Sequence, residues 1–266
     1  MKTPIRWAGS KKALLPILRN YWAASHGRYI EPFCGSACFF FDVEPNRALL
    51  GDINSDLIIA YRELRRDPSR VIECLLRLQV SENNYYRIRH LSRSELSEAE
   101  SAARFLFLNR LCFNGIYRTN LAGDFNVPYA HPKRPVKFNR GEIYKTGMLL
   151  RRASLFNADF DEVLQEARKD DFVYLDPPYA VARRRVFSEY HPDSFSEQDI
   201  LRLKSSLVDL DRRGVAFVVS YADSKEGRHL VSDWPSKRIR TRRNVAGFVG
   251  HRRAAYELMA SNKDLV

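Results

Sequence analysis

A chain of 266 residues with 45% hydrophobic and 12% aromatic side chains can bury a substantial core, which excludes a disordered protein. Its 44 Lys and Arg exceed its 32 Asp and Glu, giving a formal net charge of +12 that suits a polyanionic partner, because neutralising phosphates releases counterions. Four scattered cysteines make no disulfide framework, no apolar run is long enough to span a bilayer, and the start "MKTPIRWAGSKK" has no signal-like core, so a cytoplasmic protein without a membrane partner is expected.

The first strand signal is "RYIEPF", Arg28–Phe33, followed by the small-residue turn "CGSA" and the apolar run "CFFF". A strand, a tight glycine turn and a helix start form the nucleotide-binding corner of an open α/β sheet. A second apolar strand, "RALLGDIN", carries Asp52 at its tip. An acid there is placed to accept hydrogen bonds from ribose hydroxyls, although "DINSDL" suits a helix cap equally. Cys34 and Cys38 have no second ligand pair at zinc-finger spacing and the six histidines are scattered, so no metal site is expected.

From about Asn54 to Gly115 the pattern is helical, through "DLIIAYRELRR", "PSRVIECLLRL", "ENNYYRIRHL" and "EAESAARFLFLNRLCFNG". Ser97 and Glu100 have the spacing of a capping box opening the last of these. Helices without intervening strands do not continue a doubly wound sheet, so they read as an insertion. The segment "CFNGIYRTNLAGDFNVPYAHPKRPVKFNR" mixes turn formers, aromatics and basic groups; long ordered loops of this kind are usually functional. Strand texture returns in "ASLFNADF" and "DFVYLD". Ser196 heads an amphipathic helix to about Arg213, Val215–Ser220 is an apolar strand, and "KRIRTRR" and "AAYELMAS" flank "NVAGFVGH". The basic triplets at Arg183 and near Arg240 face phosphates or solvent.

The stretch "DFVYLDPPYA", Asp171–Ala180, ends a strand in a stiff turn, since neither proline can donate a backbone N–H. Alone it is also what a rigid turn after a buried strand looks like. Its chemistry suggests more. A nucleobase amine is a poor nucleophile because its lone pair is delocalised into the ring. Asp176 and the Pro177 carbonyl can accept both of its N–H groups and favour the geometry in which that lone pair attacks. Tyr179 can stack on an extruded base. A methyl donor bound at the glycine corner then needs only in-line alignment.

At this point "IRWAGSK", "EPFCGSACFFF", "GDINSDLI", "FLFLNRLCFNGIYRTNLAGDFNVPY" and "VYLDPPYA" resemble, in order, the motifs of Dam-type DNA adenine methyltransferases of the α class. The resemblance implies a Rossmann-like methyltransferase sheet, α/β in class, with an inserted, mainly helical target-recognition domain. The catalytic and cofactor-binding domain would comprise 1–54 and 146–266, and the recognition domain 55–145. It also implies S-adenosylmethionine as cofactor, contacted by Trp7 and Lys11, with Gly35 in the cofactor loop, Asp52 on the ribose, and Asp159 and Phe160 beside the adenine. Asp176, Pro177 and Tyr179 would be catalytic, with Asp176 also bordering the cofactor.

For DNA, the family's pattern places Phe113 as a wedge into the base stack and Asn114 at the orphaned base. Arg118 falls where a guanine is read, Ile116 and Pro128 at apolar base contacts, and Arg6 at the outer base pair. An isolated Trp7 equally suits a core, and Phe113 continues an apolar face that suits burial. The implied reaction is methyl transfer to the adenine amine of double-stranded DNA at GATC or a related site, by a monomer belonging to a restriction–modification system or standing alone. A cytosine-amine methyltransferase of the same fold and a catalytically inactive DNA-binding homologue are the alternatives. One departure stands out: the family's Gly-x-Gly loop reads Gly35, Ser36, Ala37 here. A Cβ at Ala37 resists a positive φ.

Overall fold

The computed structural model describes residues 3–120, 122–179, 195–242 and 254–263; the triplet at Arg183 and the segment 244–251 lie outside the described residues. Among the described residues, seven strands form one sheet. They are β1 (Tyr29–Glu31), β2 (Ala48–Gly51), β3 (Ala153–Phe156), β4 (Phe172–Leu175), β5 (Ala216–Ala222), β6 (Ser236–Arg242) and β7 (Ala254–Ser261). Their spatial order is β3-β2-β1-β4-β5-β7-β6. The first five are parallel, and β7 runs antiparallel between β5 and β6. β1 stops at Glu31, short of the sequence expectation, because Pro32 has no N–H for the ladder.

Successive side chains of a strand point to opposite faces. Tyr29, Leu50, Phe172, Tyr174 and Val218 therefore enter one core, while Ile30, Leu49, Val173, Leu175, Phe217 and Val219 enter the other. With both faces covered, the central strands read as near-continuous apolar runs. The second core is closed by α8 (Phe160–Gln165), α9 (Glu197–Arg212) and α10 (Lys225–Leu230). Ser196 caps α9 in a box with Asp199.

Two short helices, α1 (Leu15–Leu18) and α2 (Phe40–Val43), precede β2, and five more fall between β2 and β3: α3 (Ser55–Arg66), α4 (Pro68–Leu76), α5 (Glu82–His90), α6 (Glu98–Leu111) and α7 (Arg140–Leu150). α3 is fastened to the sheet. The Tyr61 hydroxyl donates to the Gly35 carbonyl at 2.8 Å, and Arg62 and Arg65 donate to the Leu155 and Ala153 carbonyls. α6 opens with the Ser97–Glu100 capping box that the spacing predicts, a device contributing about 1 kcal/mol. Phe105, Leu106, Phe107 and Leu108 are buried in succession, so the C-terminal half of α6 is enclosed around nearly its whole circumference, while Glu98 and Glu100 at its start and Arg110 near its end are exposed.

The carboxyl ends of β1 to β4 open on one edge of the sheet. The chain order reverses there, with β2 on one side of β1 and β4 on the other. In open α/β sheets that reversal leaves a ligand crevice.

Candidate active site

The turn after β1 passes through Gly35 and Ala37, both left-handed, with φ of +45° and +47°. A Cβ at Gly35 would lie 2.6 Å from the Trp7 ring, so only glycine fits and Trp7 lies over the loop. Trp7 also stacks on Tyr117 at 6.0 Å between centroids, half-buried rather than lost in the core. Ala37 adopts the positive φ its Cβ resists, at a cost of about 1–2 kcal/mol. It is held there by hydrogen bonds from its N–H to the Cys34 carbonyl and from the Phe41 N–H to its carbonyl.

Asp52 ties this loop to the turn after β2. Its two oxygens accept from the Gly35 and Asn54 amides, each at 2.9 Å. The helix-cap alternative goes to Asn54, whose side chain accepts from the Leu57 N–H and caps α3. Burial raises the Asp52 carboxyl to about 6, against the two amides that lower it. After β3, Asp159 caps α8, and Arg202 binds it at 2.6 Å while standing over the Phe160 ring. Phe33, Phe160 and Phe195 together make an aromatic wall behind the glycine corner.

Asp176 leaves the tip of β4. The Lys11 ammonium meets its Oδ1 at 2.5 Å, with side-chain exposures of only 7% and 19%. Ser220 of β5 donates to the same Oδ1 at 3.4 Å. No hydrogen bond reaches Oδ2 among the described residues. Burial raises the Asp176 carboxyl and Lys11 opposes that rise. For Lys11, burial pulls downward, but Asp176 with Tyr179 and Glu257 outweighs it and holds the ammonium charged. Tyr179 donates to both oxygens of Glu257, at 2.8 and 2.9 Å, and its ring meets Tyr221 edge-on. The structure thus brings Lys11, Asp176, Pro177 and Tyr179 together, with Lys11 turned to Asp176.

Ser220 and Glu257 were not legible as site residues. Ser220 closes an apolar strand and carries no signal of its own. Glu257 did carry one: it is the single acid inside "AAYELMAS", an otherwise apolar and weakly polar strand.

The DNA-facing candidates cluster elsewhere, where α6 ends. Phe113 is 44% exposed, which removes the burial alternative. Asn114 follows at φ +54°, exposed, and Pro128 stands beside them because its carbonyl accepts from the Phe113 N–H. Arg118 is exposed, with its Nε donating to Asn126 Oδ1 at 2.8 Å and its carbonyl accepting from the Asn126 N–H. Segment 126–130 therefore laces Arg118 to Phe113, and Ile116 lies half-buried between them. Asn109 of α6, itself buried, clamps the N-terminal arm by accepting from the Arg6 N–H and donating to the Arg6 carbonyl, at 2.8 and 2.7 Å. Nothing in the sequence marked that clamp.

The pattern of the D12 class N6 adenine-specific DNA methyltransferases matches the chain over residues 7–245. The chain belongs to this family. Similar proteins cover it nearly end to end. The type II methyltransferase M1.LlaDCHI of Lactococcus lactis subsp. cremoris is 32% identical over 97% of this chain and 94% of its own. The retron Ec67 DNA adenine methylase of Escherichia coli is 34% identical over 98% and 91%, and the DNA adenine methylase of Escherichia coli 29% over 97% and 94%. As a D12-class enzyme the protein is an adenine-specific DNA methyltransferase, and its mixed sheet is the Rossmann-like methyltransferase fold expected. Adenine replaces the cytosine amine that the D-P-P-Y turn alone left open, and the inactive-homologue alternative falls with it. Among the described residues, no helix is long and apolar enough to cross a membrane, and no group of three or more His, Cys, Asp or Glu could hold a metal ion.

Proposed function

We propose that the enzyme uses S-adenosylmethionine to methylate the adenine amine of GATC, or a closely related site, in double-stranded DNA. The observation that carries the catalytic assignment is the one-sided engagement of Asp176. Lys11 and Ser220 both converge on Oδ1, which opposes the burial-driven rise in the Asp176 pKa and leaves Oδ2 for a target N–H. The second N–H goes to the Pro177 carbonyl on its stiff turn. With both protons held, the amine lone pair leaves conjugation with the ring, and Tyr179 stacks on the base to fix its plane. The cofactor supplies an activated methyl group when bound.

The residues fit that cofactor. Gly35 has no room for a Cβ, Asp52 offers carboxylate oxygens at a strand tip, and Phe160 with Asp159 provides a flat apolar flank with an acid at its edge. Trp7 covers the loop from above, and Lys11 sits at the seam between cofactor and target. Residues 1–54 and 146–266 form the catalytic domain and 55–145 the target-recognition domain, acting as a monomer in the cytoplasm where DNA is accessible.

In recognition, Phe113 wedges into the stack, Asn114 meets the orphaned base, Arg118 reads guanine and Arg6 touches the outer pair. Ile116 and Pro128 supply apolar contacts. An aromatic exposed at the end of a buried helix supports the wedge, since inserted apolar side chains partly fill what flipping vacates. The test is to methylate a plasmid in vitro, identify the product nucleoside, and digest with enzymes that differ in sensitivity to methylated GATC. N6-methyladenine confined to GATC is expected. Equal incorporation into a GATC-free duplex rejects the site, and a product other than N6-methyladenine rejects the catalytic assignment.

A further inference from the structure

We infer that Glu257 is a positioning residue for the reaction, holding and polarising Tyr179 from β7, two strands away from β4 in the sheet. This rests on the reading of Tyr179 as the residue that stacks on the target base. Glu257 sits on β7, an inner strand paired on both sides, opposite Ala222 of β5 and Ile239 of β6. It is only 4% exposed. A carboxylate in such a place is unfavourable unless hydrogen-bonded. The Tyr179 hydroxyl meets that need, lying 2.8 and 2.9 Å from the two oxygens.

The geometry fixes more than a distance. A bifurcated bond to a carboxylate holds the phenol along its long axis, while Tyr221, at 5.1 Å and 72°, blocks rotation from the side. The Lys11 ammonium stands 5.3 Å from the Tyr179 centroid and ties the ring to the Asp176 side of the site. Tyr179 thus offers a base one plane instead of many. A charge-assisted hydrogen bond also pushes electron density into the phenol ring. The adenine amine gains positive charge as it takes the methyl group, and an electron-rich ring face stabilises a nearby cation. Glu257 therefore favours the charge that develops in the transition state without touching the base.

The test compares Glu257→Ala, Glu257→Gln, Tyr179→Phe and Tyr179→Ala, and the double variants with Tyr179→Phe. The readouts are single-turnover methyl transfer, cofactor affinity by calorimetry, and fluorescence of a duplex carrying 2-aminopurine at the target position. Extrusion from the stack raises that fluorescence, and stacking on an aromatic face quenches it. Glu257→Ala should slow transfer about tenfold or more, the scale of coupling between residues in direct contact, with cofactor affinity within about twofold of wild type. The same variant should raise the bound-state fluorescence, because an unheld ring quenches less. Glu257→Gln, nearly isosteric and still an acceptor but uncharged, should keep the quench while its rate falls between wild type and Glu257→Ala, because it holds the ring without polarising it, and it guards against misfolding of the alanine variant. In the Tyr179→Phe background, either substitution should add less than about a further twofold, since the coupling partner is already gone. A full additional loss there, or unchanged quenching in Glu257→Ala, overturns the inference. If Tyr179→Ala itself leaves transfer and quenching intact, the reading of Tyr179 fails first.

Discussion

The proposed catalytic crevice and the proposed recognition loop are built by opposite means. In the crevice, Lys11, Asp176, Tyr179 and Glu257 are largely buried and hold one another through side chains. In the loop, Phe113, Asn114, Arg118 and Pro128 are exposed and held from behind by backbone hydrogen bonds along 126–130. The difference follows from what each must do. Chemistry on an amine needs charges whose strength is not screened by water, and burial provides that only if every charge is partnered. Reading DNA needs unsatisfied donors and apolar edges on display, so their positions must be set without using their functional atoms. Arg118 shows the device in miniature: Asn126 takes Nε, which leaves both terminal nitrogens for the proposed guanine contact.

The comparison breaks most visibly at Asp176. Asp176→Ala should lower methyl transfer by about a hundredfold or more, as losing one preorganised partner of a reacting group does, while cofactor affinity stays near wild type. Near-normal turnover would remove Asp176 from the chemistry. Next is Lys11→Met, which leaves the carboxylate buried without its countercharge. Breaking such a pair destabilises by about 3–5 kcal/mol, and it takes away the group that opposes the burial-driven rise of Asp176. The sign follows: the pKa of Asp176 climbs further, so more of it is protonated at neutral pH. The acid limb of the pH–rate profile should move to higher pH, with activity partly recovered in alkaline buffer. A folded-state pKa above the unfolded value also means a stability deficit that widens as pH rises. A limb that stays in place would show that Lys11 does not hold Asp176 ionised.

In the loop the effects are smaller and selective. Arg118→Ala should relax discrimination at one base pair by about 1–3 kcal/mol while leaving the rate on the preferred site's remaining positions ordered as before. Asn126→Ala should give a fraction of that loss at the same base pair, because it frees the guanidinium without removing it. Competition between duplexes differing at single positions measures both. A uniform loss across all sequences would make Arg118 a phosphate contact and erase its contrast with the basic "HPKRPVK" stretch.

How far the sequence reached divides along the same line. The strands were legible because a sheet covered on both faces demands apolar runs, and the cofactor corner because Gly35 and Asp52 sit at strand tips. Asp176 and Tyr179 were singled out because two prolines make a stiff turn at a strand tip, although that turn alone suits a purely structural role equally well and the family motif decided between them. The exposed loop residues rested on the family resemblance, since nothing in "CFNGIYR" says which side chains face outward. Asn109 and Ser220 were out of reach, and Glu257 showed only as a lone acid without a visible partner, for a different reason. Their partners are 103, 44 and 78 residues away along the chain, and only the folded sheet brings such pairs within hydrogen-bond distance.

The finest test of the comparison is Ala37, where a buried part of the crevice carries strain in its backbone. Ala37→Gly should relieve about 1–2 kcal/mol of left-handed strain. Against this stand the loss of a buried methyl, about 0.8 kcal/mol, and the greater freedom of glycine in the unfolded chain, about 0.4–1 kcal/mol. The three nearly cancel, so the denaturation midpoint should move little. Cofactor affinity separates the possibilities better than stability does. If the strain distorts the loop under Trp7, glycine lets it relax and the calorimetric Kd for S-adenosylmethionine tightens or is unchanged. A marked weakening would mean that the Ala37 methyl, wholly buried against its neighbours, holds the loop in its binding shape. The crevice would then be over-determined down to its backbone, and the strain would be part of how it binds.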